Sequence, residues 1–216
     1  MHTKNSQSRV TTSTTMRIGV MLIALVLVLG GGVYWYRSAF MGAAIQGTPL
    51  APEIAADFSK PHLTLVGKVF LVSDGDTITL DTDYGRYRIR LDSIDAPETE
   101  HGTWQPGQPY GQASRQHLTD LVMGKSLTAQ CYEVDQFDRE ICTLIMIDGR
   151  SVNSAQVEAG YAWAYTAKQG AYLHDRAMPE IQQQAHQERK GLWKDADPIA
   201  PWAWRYDCWK EGRCKP

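Results

Sequence analysis

Two short acidic segments and two arginines carry the residue types that handle a phosphodiester. The segments are Asp74-Gly75-Asp76-Thr77 and Asp95-Ala96-Pro97-Glu98. Alternation along 87–91 puts Tyr87, Ile89 and Leu91 on one side of a strand and Arg88 and Arg90 on the other. If that strand ends a three-strand meander, the first turn and the end of the third strand share one end of the sheet. Asp76, Asp95 and Glu98 then converge. Three converging carboxylates repel one another unless a cation lies among them, and hard oxygen donors without His or Cys favour Ca²⁺ or Mg²⁺. Arg90 and Arg139 supply planar donors that match phosphate oxygens and stay charged at every working pH. Glu98 is then placed to take a proton from an attacking water. Each piece alone also reads as something plainer: the acidic segments as solvated turns, the arginines as surface ion pairs.

The elements that must position these residues follow from periodicity. Strands are expected at Leu63–Val72, Asp76–Leu80 and Tyr87–Leu91, then a Gly/Pro/Gln-rich loop at Thr99–Pro109. Gly111–Met123 reads as a helix that stops at Gly124, and Leu127–Val134 and Ile141–Ile147 as two further strands. Ser151–Ala159 is a short helix. A last one carries Leu173, Ala177, Ile181 and Ala185, ends at Gly191 and starts near Asp175, because Pro179 is tolerated only in a first turn. Five antiparallel strands with a helix after the third is the layout of a five-stranded OB-type barrel, an α+β or mainly β fold with three helices.

Composition narrows the class. The chain has 216 residues, is 43% hydrophobic and 21% charged, and has a net charge of −2, which excludes a disordered chain. Residues 1–60 hold five basic side chains against two acidic ones, leaving 17 basic and 22 acidic in the rest. The body therefore has no general basic footprint, and nucleic acid must be held by a local cluster or a bound cation. Four cysteines with no C-x-x-C exclude a disulfide scaffold and a zinc ribbon.

Residues 18–36 contain no charged side chain, end in Tyr34-Trp35-Tyr36 and follow Lys4, Arg9 and Arg17. At 1.5 Å per residue the run nearly matches a hydrocarbon core of ~30 Å. The expectation is a transmembrane helix at 18–36 with 1–17 in the cytoplasm, a linker at 37–62, a barrel domain at 63–193 outside the membrane, and a tail at 194–216. A cleaved signal sequence with a secreted product is the alternative. Either way the domain is exported and disulfides are allowed. Cys131 and Cys142 flank a 134–139 turn symmetrically, and Cys208 and Cys214 close a short loop; free thiols are the alternative for both pairs. Trp193 and the tail's Trp202, Trp204 and Trp209 fit packing across the domain better than stacking on bases.

The ordered set resembles the staphylococcal nuclease (thermonuclease) family. It comprises Val72-Ser73-Asp74-Gly75-Asp76-Thr77, Arg88 through Glu98, Tyr110-Gly111-Gln112-Ala113-Ser114, Asp138-Arg139, Asp148 through Asn153, Gly160-Tyr161-Ala162 and Lys190-Gly191-Leu192-Trp193, spread over residues 63–193. The resemblance implies an OB-fold, Ca²⁺-dependent phosphodiesterase acting on DNA and RNA and leaving a 3′-phosphate. By matching position it implies Asp76, Asp95 and the Ala96 carbonyl as calcium ligands, with Asp74 behind them. Glu98 is implied as the general base, Arg90 and Arg139 as the phosphate-binding arginines, and Tyr165 as a substrate contact. Mg²⁺ and Mn²⁺ remain alternatives for the ion, and no protein partner is implied. Two positions depart from the family: Ala96 stands where Thr is common, and Phe137-Asp138-Arg139 where Tyr-Gly-Arg is usual. The competing functions are a catalytically silent OB-fold module that binds nucleic acid or protein, and a structural protein of the cell envelope. A silent relative is expected to lose the acids or the arginines, and here all five positions are filled.

Overall fold

The computed structural model describes residues 60–214. The expected membrane segment at 18–36 and nearly all of the expected linker lie outside them. Among the described residues, no helix is long and apolar enough to cross a membrane.

In chain order the elements are β1 (Leu63–Asp74), β2 (Thr77–Thr82), β3 (Gly85–Leu91), β4 (Ile94–Asp95), α1 (Gly111–Val122), β5 (Ser126–Val134), β6 (Glu140–Ile145), α2 (Val152–Glu158), β7 (Trp163–Ala164), a single turn α3 (Ala167–Gly170), α4 (Met178–Gln187) and the tail helix α5 (Pro201–Trp204). A π-helical turn at Arg205–Lys210 continues α5. Five strands close a barrel in the order β1-β2-β3-β6-β5, and β4 pairs with β7 in a separate two-stranded sheet.

Period-two patterning builds the barrel. Leu65, Val69 and Val72 of β1, Ile78 and Leu80 of β2, Ile89 and Leu91 of β3, Leu127 and Ala129 of β5 and Leu144 of β6 point inward and are buried. β1 is long because it serves two partners. Its first half pairs with β5 and its second half with β2, with register shifts after Val69 and Val72 that let it curl. Leu118 and Val122 of α1 and Val152 and Val157 of α2 add to the same core.

Sequence periodicity predicted antiparallel pairing throughout. That expectation is corrected at one seam: β3 and β6 run parallel, with Ile89 opposite Glu140 and Leu91 opposite Cys142. The reason is geometric, since a closed ring with an odd number of strands cannot alternate direction at every step. Strand and helix limits shift slightly as well. β6 begins at Glu140 and ends at Ile145, and α4 begins at Met178, so Pro179 falls in its first turn where a missing N–H costs nothing.

Candidate functional site

The acidic turn between β1 and β2 is set by close packing. A Cβ on Gly75 would overlap the Ser114 side chain and the Ala96 methyl, so only glycine lets the turn lie against α1 and the second acidic segment. Gln156 of α2 donates from Nε2 to the Gly75 carbonyl at 2.7 Å and to the Ser114 carbonyl at 3.3 Å. Asn153, one turn earlier on α2, donates to the Asp92 and Cys142 carbonyls at 2.9 and 3.1 Å and accepts from the Leu144 amide at 3.0 Å. Two buried amides on one helix thus hold the turn that carries Asp76 and the bend that leads to Asp95. At that bend Ser93 takes a left-handed φ of 63°, which turns the chain from β3 into β4.

Asp76, Asp95 and Ala96 are buried. Asp76 accepts from the Ala96 amide at 2.7 Å through Oδ2 and from Thr77 Oγ1 at 3.1 Å through Oδ1, while Asp74 Oδ1 accepts from the Asp76 amide at 3.1 Å. Arg90 spans the two acidic segments. Its Nη1 contacts Asp76 Oδ1, and its Nη2 donates to Asp95 Oδ1 at 2.5 Å. Arg205, from the tail, covers the other side of Asp95. Its Nη2 donates to Oδ2 at 2.7 Å, and its Nη1 donates to Oδ1 at 3.1 Å and to Glu98 Oε1. Arg139, just ahead of β6, is held by Asp135 through Nε at 2.8 Å and Nη2 at 2.7 Å. Its Nη1 reaches Thr77 Oγ1 at 3.4 Å. Thr77 therefore links Arg139 to Asp76.

The electrostatics follow from burial. Burial pushes the Asp76 carboxyl up from 3.8 to about 6, with Arg90 opposing and Asp74 adding to the rise. Burial raises Glu98 as well, against the pull of Arg205. Burial opposes the charge on Arg90, but Asp76 and Asp95 outweigh it and hold the guanidinium above its ordinary range.

The structure brings Asp74, Asp76, Arg90, Asp95, Ala96, Glu98 and Arg139 to one end of the barrel. The three acids were expected to meet around one point. Instead guanidinium groups stand between them, and the described residues hold no group of three or more His, Cys, Asp or Glu side chains set to bind a metal. Even so, the donor set fits a hard divalent ion, because Asp76 and Asp95 are desolvated and both turn Oδ1 toward the same cationic group.

Tyr165 belongs to a different cluster. Its ring stacks on Tyr172 with centroids 5.6 Å apart and lies 5.7 Å from the Trp202 ring. The Phe137-Asp138-Arg139 turn closes with Asp138 at φ 58°, a left-handed conformation that Asp adopts more readily than most residues. Disulfides join Cys131 to Cys142 across β5 and β6, and Cys208 to Cys214 in the tail.

Sequence reasoning missed Arg205. It sits in a segment dominated by Trp and Pro, and no spacing rule ties it to acids 110 and 107 residues away.

Comparison with known proteins adds an independent line. Residues 88–195 match the family model described as staphylococcal nuclease homologue. The chain is 38% identical over 157 residues to an uncharacterized endonuclease of Escherichia coli O157:H7, covering 72% of this chain and 95% of that protein. It is 33% identical over 147 residues to a micrococcal nuclease of Shigella flexneri, covering 64% and 79%. It is 35% identical over 139 residues to an uncharacterized endonuclease of Haemophilus influenzae, covering 64% and 71%.

Proposed function

The chain belongs to the staphylococcal nuclease family, and on that premise we propose that it is a calcium-dependent nuclease that hydrolyses DNA, RNA or both at the Asp76–Asp95–Glu98 end of the barrel. One observation supports this most: the buried carboxylates of Asp76 and Asp95 share the Arg90 guanidinium, with the Glu98 carboxylate and the Arg139 guanidinium beside them. Asp76, Asp95 and the Ala96 carbonyl would hold the ion, and Asp74, on the Asp76 amide, steadies the turn. When bound, the ion supplies positive charge that polarises the phosphate and makes water more acidic. Glu98 accepts the proton of the attacking water. Its raised pKa makes it a stronger base than an exposed glutamate. Arg90 turns from Asp76 and Asp95 to the phosphate once those acids are neutralised from elsewhere. Arg139, already fixed by Asp135, donates to a second nonbridging oxygen as negative charge grows on it.

A digest of plasmid DNA, single-stranded DNA and RNA tests this. Cleavage is expected with Ca²⁺ and none with EGTA, while Mg²⁺ and Mn²⁺ arms define the ion. Glu98→Gln should lower kcat by about 10²–10³ with the fold retained. Full cleavage in EGTA, or wild-type turnover in Glu98→Gln, overturns the assignment. Binding of nucleic acid without cleavage would instead favour the silent OB-fold module. For residues 18–36 we propose export of the domain with the segment retained as an anchor, a reading supported by the two disulfides of the domain.

A further inference from the structure

Arg205 occupies the place where the proposed mechanism needs freedom. Its Nη1 touches both Asp95 and Glu98, and its Nη2 takes the remaining oxygen of Asp95. With Arg90 also on Asp95 Oδ1, three of the roughly four acceptor positions of that carboxylate are filled. On Glu98 the guanidinium takes one acceptor position of Oε1, and its positive charge there disfavours taking up a proton from water. An aspartate covered on the face it shares with that glutamate does not present that face to an ion, and a divalent cation is repelled by a guanidinium at hydrogen-bond distance.

The contact is built rather than incidental. The indole N–H groups of Trp204 and Trp209, on either side of Arg205, both donate to the Pro106 carbonyl, at 3.3 and 3.0 Å. Gln108, in the same loop, donates to the Ile199 carbonyl at 2.5 Å and accepts from the Glu98 amide at 3.3 Å. The Cys208–Cys214 disulfide closes the end of the tail, with Cys208 buried. The loop that carries Glu98 and the tail that carries Arg205 are thus stitched together by three hydrogen bonds besides the Arg205 contact itself. The Arg205 side chain itself remains 31% exposed, so it can swing outward while its backbone stays docked.

We propose that Arg205 is a resident counter-cation of the ion site. It neutralises Asp95 and Glu98 while the ion is absent, and the divalent ion must displace it to load the site. The tail then sets the ion concentration at which the enzyme becomes competent. This rests on the calcium-dependent reading above and extends it to the regulation of the same acids.

Calcium binding without substrate, measured by titration calorimetry on the full chain, tests it. Arg205→Ala should bind Ca²⁺ at least ~10-fold more tightly than wild type. Arg205→Lys, whose single ammonium cannot span both acids, should fall between them. Arg213→Ala removes an equal charge from the same tail, where Arg213 pairs with Asp207, and should stay within about twofold of wild type. A second readout uses the unaltered protein: the rate of phenylglyoxal labelling at Arg205, followed by mass spectrometry, should rise when Ca²⁺ is added. Equal or weaker binding by Arg205→Ala, or labelling that Ca²⁺ leaves unchanged or slows, overturns the proposal while the calcium-dependent reading stands. Failure of every variant and of wild type to bind Ca²⁺ overturns both.

Discussion

Burial separates the acids of this site by role. Asp76 is 2% exposed and its carboxyl is raised from 3.8 to about 6, chiefly by desolvation. A carboxyl whose pKa is higher folded than unfolded takes up a proton on folding across that interval. Its contribution to stability is complete below 3.8 and is lost as the pH rises through about 6. A shift of this size is worth on the order of 3 kcal/mol in the ion-free protein. In EGTA, urea unfolding should therefore show wild type losing stability relative to Asp76→Asn between pH 4 and pH 7. Parallel pH profiles for the two proteins would remove Asp76 as a desolvated acid. The same desolvation is what makes the position favourable for a cation, since the charged carboxylate gains more from a positive partner there than it would in water.

Elements place these residues through a few close contacts. α1 starts at Gly111, directly beneath the Glu98 carbonyl, and a Cβ at that position would overlap the Glu98 backbone. The helix start therefore fixes the height of the proposed base. Gly111→Ala should push Glu98 out of line and lower kcat by about tenfold or more, because small displacements of a catalytic group cost rate steeply. The measurement is kcat alongside calcium affinity, and only kcat should move. α2 plays the corresponding part for Asp76 and Asp95, the acids proposed to hold the ion, through Asn153 and Gln156. These two polar residues look like surface positions in a short helix, and their buried role becomes visible only when α2 packs over the β1–β2 turn.

For the whole molecule, charge and disulfides bear on where it works. The body has an excess of acidic residues, so on the proposed function contact with a polyanion is expected at the end of the barrel where Arg90, Arg139 and Arg205 meet the acids. Two disulfides among the described residues favour an oxidising compartment. On the export proposed above, the apolar run at 18–36 would be the means of reaching it. In native cells the protein should stay with membranes through carbonate extraction, and its domain should be open to protease from the extracytoplasmic side. Release by carbonate, or a mature chain that begins after residue 36, would replace the anchor with a cleaved leader.

Alternating side chains in β1, β2, β3, β5 and β6 made the barrel strands legible from sequence, because a two-residue period must place one set of side chains in a core. The acidic turns and Arg90 and Arg139 were legible because their spacing is local to a turn or to one strand end. Tertiary structure decided the rest. The parallel β3–β6 seam arises only when five strands close into a ring, a constraint no single segment contains. Arg205 meets Asp95 and Glu98 only because Trp204, Trp209 and Gln108 dock the tail on the loop beyond Glu98, and sequence patterns carry no information about contacts more than a hundred residues apart.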